Sequence, residues 1–166
     1  SIKDGAVFVD HTTTSDRIAR ELAAKAESKG FEFIDAPVSG GQAGAENGQL
    51  TIMVGGDTDV FERARPVMDC YARAVTLIGP VGAGQLAKMV NQILIATGMI
   101  GVSEALLYAQ EAGLDLDKTL QAVSGGAAGS WSLSNYGPRM LAGDFAPGFF
   151  VDHFVKDMGI ALDERQ

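Results

Sequence analysis

The sequence predicts an α/β layer followed by an all-helical part. Three observations carry this: strand and helix signals alternate over residues 1 to 79, strand signals cease from Gly84 onward, and residues 89 to 103 form an apolar run without a single charge. The expected domains are therefore 1–79 and 80–166.

The elements follow in order. Ala6 to Asp10 is a short apolar run that ends in the polar Asp10-His11-Thr12-Thr13-Thr14, and reads as a strand. The pattern from Ser15 to Lys29 is helical, with Ser15 as its cap. Phe31 to Asp35 is a second strand, stopped by Ala36-Pro37 and the small-residue stretch Ser39 to Gly44, which reads as a loop. Leu50 to Val54 is a third strand, Asp57 to Tyr71 a helix and Ala74 to Ile78 a fourth strand.

A single helix is predicted from Gly84 to Ala112, ended by Gly113. At 1.5 Å per residue it would be about 43 Å long, more than a small domain needs. Apolar residues such as Leu86, Val90, Leu94, Ile100 and Leu107 cover most of its circumference. Such a helix is expected to be buried on all sides, as a spine between domains or in a subunit interface. Further helices are predicted at 115–123, 131–141 and 151–164. Trp131, after Gly129-Ser130, is expected as a core or pocket-wall aromatic.

Composition bounds the function. The chain has 166 residues, 46% of them hydrophobic, with 21 acidic and 13 basic side chains and a formal net charge of -8. This reads as a soluble globular protein, and the acidic balance argues against nucleic-acid or membrane-surface partners, which need a basic patch. The single Cys70 excludes a disulfide within the chain and suits a reducing, cytoplasmic setting. His11 and His153 are the only histidines, too few for a zinc-type cluster, so no metal is expected. They read as turn or surface residues. The uncharged run is shorter than the roughly 20 residues that span a bilayer and contains Asn91 and Gln92, which argues for a helix buried in protein. A chain opening Ser-Ile-Lys-Asp without methionine is expected to lack its true start.

Lys88 is the most informative residue, because it lies one turn into that apolar helix. Desolvation disfavours a buried ammonium, lowers its pKa and suits it to proton transfer. Asn91 and Gln92, three and four residues on, share its helix face. The preceding Gly82 to Ala87 fits G-x-G-x-x-A, the dinucleotide fingerprint. That reading is rejected, since the acidic residue at the required spacing, Glu104, falls mid-helix. The glycines then serve only the turn.

Two other segments admit a chemical reading and a plain one. Asp35-Ala-Pro-Val-Ser39-Gly40-Gly41 follows a strand directly, where open α/β sheets place their ligand crevice. Its backbone N–H groups and the Ser39 hydroxyl suit a carboxylate, although Pro and Gly also punctuate ordinary loops. A nucleophilic Ser39 is disfavoured, because its flanks do not form G-x-S-x-G. Lys156-Asp157 with Asp163 reads as a functional pair or as a solvated charged face.

In order and spacing, these three segments resemble the β-hydroxyacid dehydrogenase family. They are Asp35 to Gly41 with Gly44, Ala45 and Gly48; Gly82-x-Gly84-x-x-x-Lys88-x-x-Asn91; and Lys156-Asp157 with Asp163. The resemblance implies the last part of a Rossmann-type dinucleotide-binding domain over 1–79, a long interdomain helix and a helical domain over 80–166. The family's N-terminal glycine fingerprint and its final helices are expected to be missing from this chain.

It implies Lys88 as the catalytic lysine, and Ser39, Gly40, Gly41, Asn91 and Gln92 as substrate-binding residues. Thr12 or Thr13, together with Lys156, would contact the cofactor. The cofactor is NAD or NADP, undecided without the adenosine-ribose loop. The substrate would be a small anionic hydroxy acid or its semialdehyde, such as 3-hydroxyisobutyrate or tartronate semialdehyde. A homodimer or homotetramer through residues 84–112 is expected. The alternatives are a catalytically silent dimerising scaffold, which has no need of a buried lysine, and an imine reductase, in which this lysine is generally lacking. Phosphogluconate dehydrogenase is a larger cousin.

Overall fold

A computed structural model describes Lys3 and residues 5–164. Twelve elements run in the order β1 (Val7–Asp10), α1 (Asp16–Glu27), β2 (Glu32–Asp35), β3 (Val38–Ser39), α2 (Gly41–Glu46), β4 (Leu50–Gly55), α3 (Thr58–Met68), β5 (Ala72–Gly79), α4 (Ala83–Glu111), α5 (Leu116–Ser124), α6 (Trp131–Leu141) and α7 (Val151–Asp163). The α/β layer and the helical part are thus both present. The stretch expected as a plain loop after Asp35 instead holds β3 and α2, two elements too short for hydrophobic periodicity to reveal.

The starts of the helices follow from capping chemistry. Ser15 has extended backbone and its Oγ accepts from the Ile18 N–H at 3.2 Å, closing one orphan donor of α1. Asp57, Asp115 and Ser130 do the same for α3, α5 and α6. Helix α4 stops where Gly113 takes a left-handed φ of 71° and Leu114 N–H returns to the Ala109 carbonyl at 3.0 Å.

The chain forms two compact units, Ser1–Gln92 with Gly148–Gln166, and Ile93–Pro147. This division differs from a boundary at residue 79, because α7 and the first turns of α4 group with the sheet. In the first unit β1 and β2 run parallel, and β4 pairs with β2 and β3 antiparallel and with β5 parallel. Its core is Ile34, Ile52, Val54, Phe61 and Met68 with their neighbours, the inward residues of β2 and β4 against one face of α3. In the second unit Val102, Leu120 and Leu133 form a smaller core. Trp131 lies outside it, 61% exposed and edge-on to Tyr136, which overturns the core half of the core-or-pocket-wall expectation.

Helix α4 is covered on one face only within this chain. Leu86, Val90, Ile93, Leu94, Ile100 and Leu107 are exposed in this chain, Leu94 by 67%, so the helix is not buried on all sides. Its buried stripe within the first unit is instead Gln85, Lys88, Met89 and Gln92, the spacing of one helix face. By length and composition the 29-residue helix could cross a bilayer. Its first turns nevertheless bury polar side chains bonded within the folded unit, which is the behaviour of a helix packed in protein.

Candidate active site

The start of α4 is organised by Asp35, at the end of β2. Its carboxylate is fully buried and accepts from the Gly82 N–H at 2.7 Å and the Gln85 N–H at 2.9 Å. The chain's own anion therefore occupies the helix N-terminus, leaving no room there for a phosphate. Burial raises the Asp35 pKa, while the backbone donors, Gly82 first, pull it down. Close packing also explains the glycines: a Cβ at Gly84 would lie 2.5 Å from the Met53 carbonyl oxygen, and one at Gly55 2.5 Å from Asp35 Oδ1. Dinucleotide binding has no part in this G-x-G-x-x-A.

One turn later Lys88 is buried, 7% exposed, and its Nζ donates to the Val38 carbonyl at 2.8 Å. That bond puts the amine beside the Ser39-Gly40-Gly41 turn. Desolvation lowers the Lys88 pKa below its ordinary 10.5; the Asp157 carboxylate pulls it back up and the Lys156 ammonium pushes it further down. Ser39 is half-buried at the end of β3, in register with Thr51, and among the described residues its hydroxyl has no hydrogen-bond partner. Gly40 and Gly41 follow with φ of 133° and 61°, conformations that favour glycine.

The amides after the lysine divide their work. Gln92 is buried; its Nε2 donates to Asp157 Oδ2 at 2.7 Å and its Oε1 accepts from Asn91 Nδ2 at 2.7 Å. Both ends of Gln92 are thus committed to the protein. Asn91 is half-buried, and among the described residues its carbonyl oxygen accepts no hydrogen bond. Asp157, from α7, is 1% exposed. Its Oδ1 lies 3.0 Å from Lys156 Nζ in an ion pair and, among the described residues, accepts no hydrogen bond.

Lys156 reaches the other way, its Nζ donating to the Thr13 carbonyl at 2.6 Å. From Thr12 to the start of α1 the backbone is gripped by side chains of other elements. Gln85 bonds Thr12 and Thr14, and Glu164 accepts from the Asp16 N–H at 2.9 Å. Among the described residues the hydroxyls of Thr12, Thr13 and Thr14 make no hydrogen bond, so the loop offers three hydroxyls on a fixed backbone. These residues fit one end of a dinucleotide, with its hydroxyl partners and a lysine.

Every candidate substrate, cofactor and catalytic residue named from the sequence lies in the first unit, with Lys88, the turn, the amides and Lys156 linked through Val38 and Asp157. His11 is a brace, Nδ1 at 2.6 Å from the Ala36 carbonyl and Nε2 at 2.9 Å from the Tyr71 hydroxyl. His153 is exposed and packs against Phe149 and Phe150. Sequence reasoning missed Asp35, Gln85 and the buried role of Asp157. A carboxylate closing a strand, followed by Pro, was the available signal for the first. An open depression of about 640 Å³ beside Arg20, Asp57, Thr58 and Pro80 lies away from Lys88. Its arginine is paired with Asp16 and its helix N-terminus is capped by Asp57.

Comparison with known proteins accords with this geometry. Residues 1–79 match the NAD binding domain of 6-phosphogluconate dehydrogenase, and residues 82–166 match a domain described as NAD-binding of NADP-dependent 3-hydroxyisobutyrate dehydrogenase. Relatives include the uncharacterized oxidoreductase YkwC of Bacillus subtilis, 52% identical over 99% of this chain and 57% of the relative. The 2-hydroxy-3-oxopropionate reductase of Escherichia coli is 42% identical over 98% of this chain and 56% of that protein. A Mycobacterium tuberculosis 3-hydroxyisobutyrate dehydrogenase structure with L-serine superposes with a TM-score of 0.87 at 36% identity, covering 98% of this chain and 58% of that one. The chain spans a little over half the length of each.

Proposed function

The chain belongs to the β-hydroxyacid dehydrogenase family, whose cofactor is NAD(P), and from that premise we propose that the full-length protein interconverts a small β-hydroxy acid and its semialdehyde. The observation that carries the reading is the bond from buried Lys88 to the carbonyl preceding Ser39, which joins a proton donor of lowered pKa to a carboxylate-binding turn.

When bound, NAD(P) exchanges the hydride at nicotinamide C4. In the reductive direction Lys88 gives its proton to the substrate oxygen and offsets negative charge developing there; in the oxidative direction it takes the proton. Ser39, Gly40 and Gly41 hold the substrate carboxylate. Asn91 orients the substrate through its carbonyl oxygen, and Gln92 holds Asn91 and Asp157 in place. Thr12, Thr13 and Lys156 receive the nicotinamide end of the cofactor.

The acid is small, in the class of 3-hydroxyisobutyrate or tartronate semialdehyde, and the enzyme is soluble, in a reducing cytoplasmic setting. The exposed apolar residues of α4 support a homodimer or homotetramer through 84–112. A coenzyme-oxidation screen of small semialdehydes with full-length enzyme tests the reading. Turnover of one or more carboxylate-bearing semialdehydes, and none of cyclic imines, is expected; no turnover of any would leave the silent scaffold.

A further inference from the structure

We propose that Gln85 is a positioning residue that fixes the threonine loop relative to Lys88; this rests on the reading of Thr12 and Thr13 as cofactor contacts. Gln85 is fully buried. Its Oε1 accepts from the Thr14 N–H at 3.0 Å and its Nε2 donates to the Thr12 carbonyl at 2.7 Å. One planar group thus clasps the loop backbone on both sides of Thr13. A primary amide presents an acceptor and a donor together at any pH, whereas an ionised glutamate offers acceptors alone and leucine neither, so neither of these reproduces the clasp.

The residue is itself immobilised. Its N–H donates to Asp35 Oδ2 at 2.9 Å, which ties it to the end of β2, and it sits three residues before Lys88 on the same buried stripe of α4. Three parts meet here: the loop after β1, the strand end that leads into the Ser39 turn, and the helix that carries the lysine. Lys156 bonds the Thr13 carbonyl between those two bonds, so the loop cannot shift without breaking a charge-assisted bond or the amide pair. A plain core position would take an apolar side chain; an unmatched buried amide is costly enough that this one is kept only where both of its bonds form. The consequence is a fixed span between the hydroxyls that meet the cofactor and the amine that moves the proton, which proximity catalysis requires.

The test is steady-state kinetics of the full-length enzyme with Gln85→Met, which keeps the volume and removes both bonds, beside a Thr12→Ala, Thr13→Ala double variant. Gln85→Met should raise the cofactor KM about tenfold, the scale of one or two lost hydrogen bonds, while the substrate KM stays within twofold. Should that variant fail to fold, Gln85→Glu retains the acceptor for Thr14 and should show the same selective rise at the alkaline end of the assay range, where the carboxylate is ionised and cannot donate to the Thr12 carbonyl. If the threonine variant raises the cofactor KM but the Gln85 variant lowers only the melting temperature, Gln85 is a packing residue and the inference is overturned. If neither changes the cofactor KM, the cofactor role of the loop fails and the inference fails with it.

Discussion

Lys88 donates to the Val38 carbonyl at 2.8 Å across 50 positions of sequence, and this bond holds in either protonation state of the amine, since neutral and charged lysine both donate. Val38 immediately precedes Ser39. The amine is therefore held beside the carboxylate-binding turn before and after it transfers a proton, and the two halves of the proposed chemistry are joined by one main-chain acceptor.

Ser39→Ala tests the turn. Its hydroxyl has no hydrogen-bond partner among the described residues, so its removal should leave stability near the parent's and raise the substrate KM. The expected loss is about 1 to 3 kcal/mol, the range for a hydrogen bond to a charged group, with turnover little changed. Unchanged KM in steady-state assays would remove Ser39 from the site.

Asp157→Asn tests the electrostatics around the lysine. The carboxylate raises the Lys88 pKa against desolvation, so its neutralisation should lower that pKa further. In a pH–rate profile the limb belonging to Lys88 should move to lower pH, while the asparagine still accepts from Gln92. A limb that stays put, or moves up, would show that Asp157 does not act on Lys88.

Asp35→Asn tests the helix start. An amide supplies one acceptor where the carboxylate supplies two, leaving the Gly82 or Gln85 N–H buried and facing a donor. A loss of about 1 to 3 kcal/mol in thermal or denaturant unfolding is expected. Parental stability would mean that relief of the buried charge offsets the lost bond.

Much of this was legible in the sequence, and the remainder was hidden for definite reasons. Strand and helix alternation, the Ser15 cap and the Gly113 stop are local signals, and all are present. β3 and α2 were invisible because two and six residues of small side chains carry no period. Which face of α4 its own chain covers was not legible, because composition reports how apolar a helix is and not which side is covered within the chain and which is left for a partner. The residues that its first turns bury are mostly polar, Gln85, Lys88 and Gln92 with Met89. Lys88 stood out as a charge in an apolar run, whereas Asp157 lay among other charges and looked solvated. Its burial depends on packing of α7 65 residues beyond Gln92, which no local spacing encodes.

Lys156→Ala should weaken cofactor binding, because its ammonium bonds the Thr13 carbonyl at the loop proposed to meet the nicotinamide end. Removing that cation should also raise the Lys88 pKa slightly, since Lys156 pushes it down. Coenzyme titration followed by fluorescence, with a pH–rate profile, should show lower affinity and a profile of parental shape. A lost limb would assign proton transfer to Lys156.

Turnover of Lys88→Ala and Lys88→Arg in the full-length enzyme tests the central claim most directly. Loss of a positioned acid/base typically lowers the rate ~10²- to 10⁴-fold. Lys88→Ala should fall by at least that much with cofactor affinity near the parent's, and Lys88→Arg should recover little, because guanidinium keeps the charge but releases no proton near neutral pH. An arginine variant that retains most of the parental turnover would contradict the account, making Lys88 a fixed charge and requiring the proton to come from another donor.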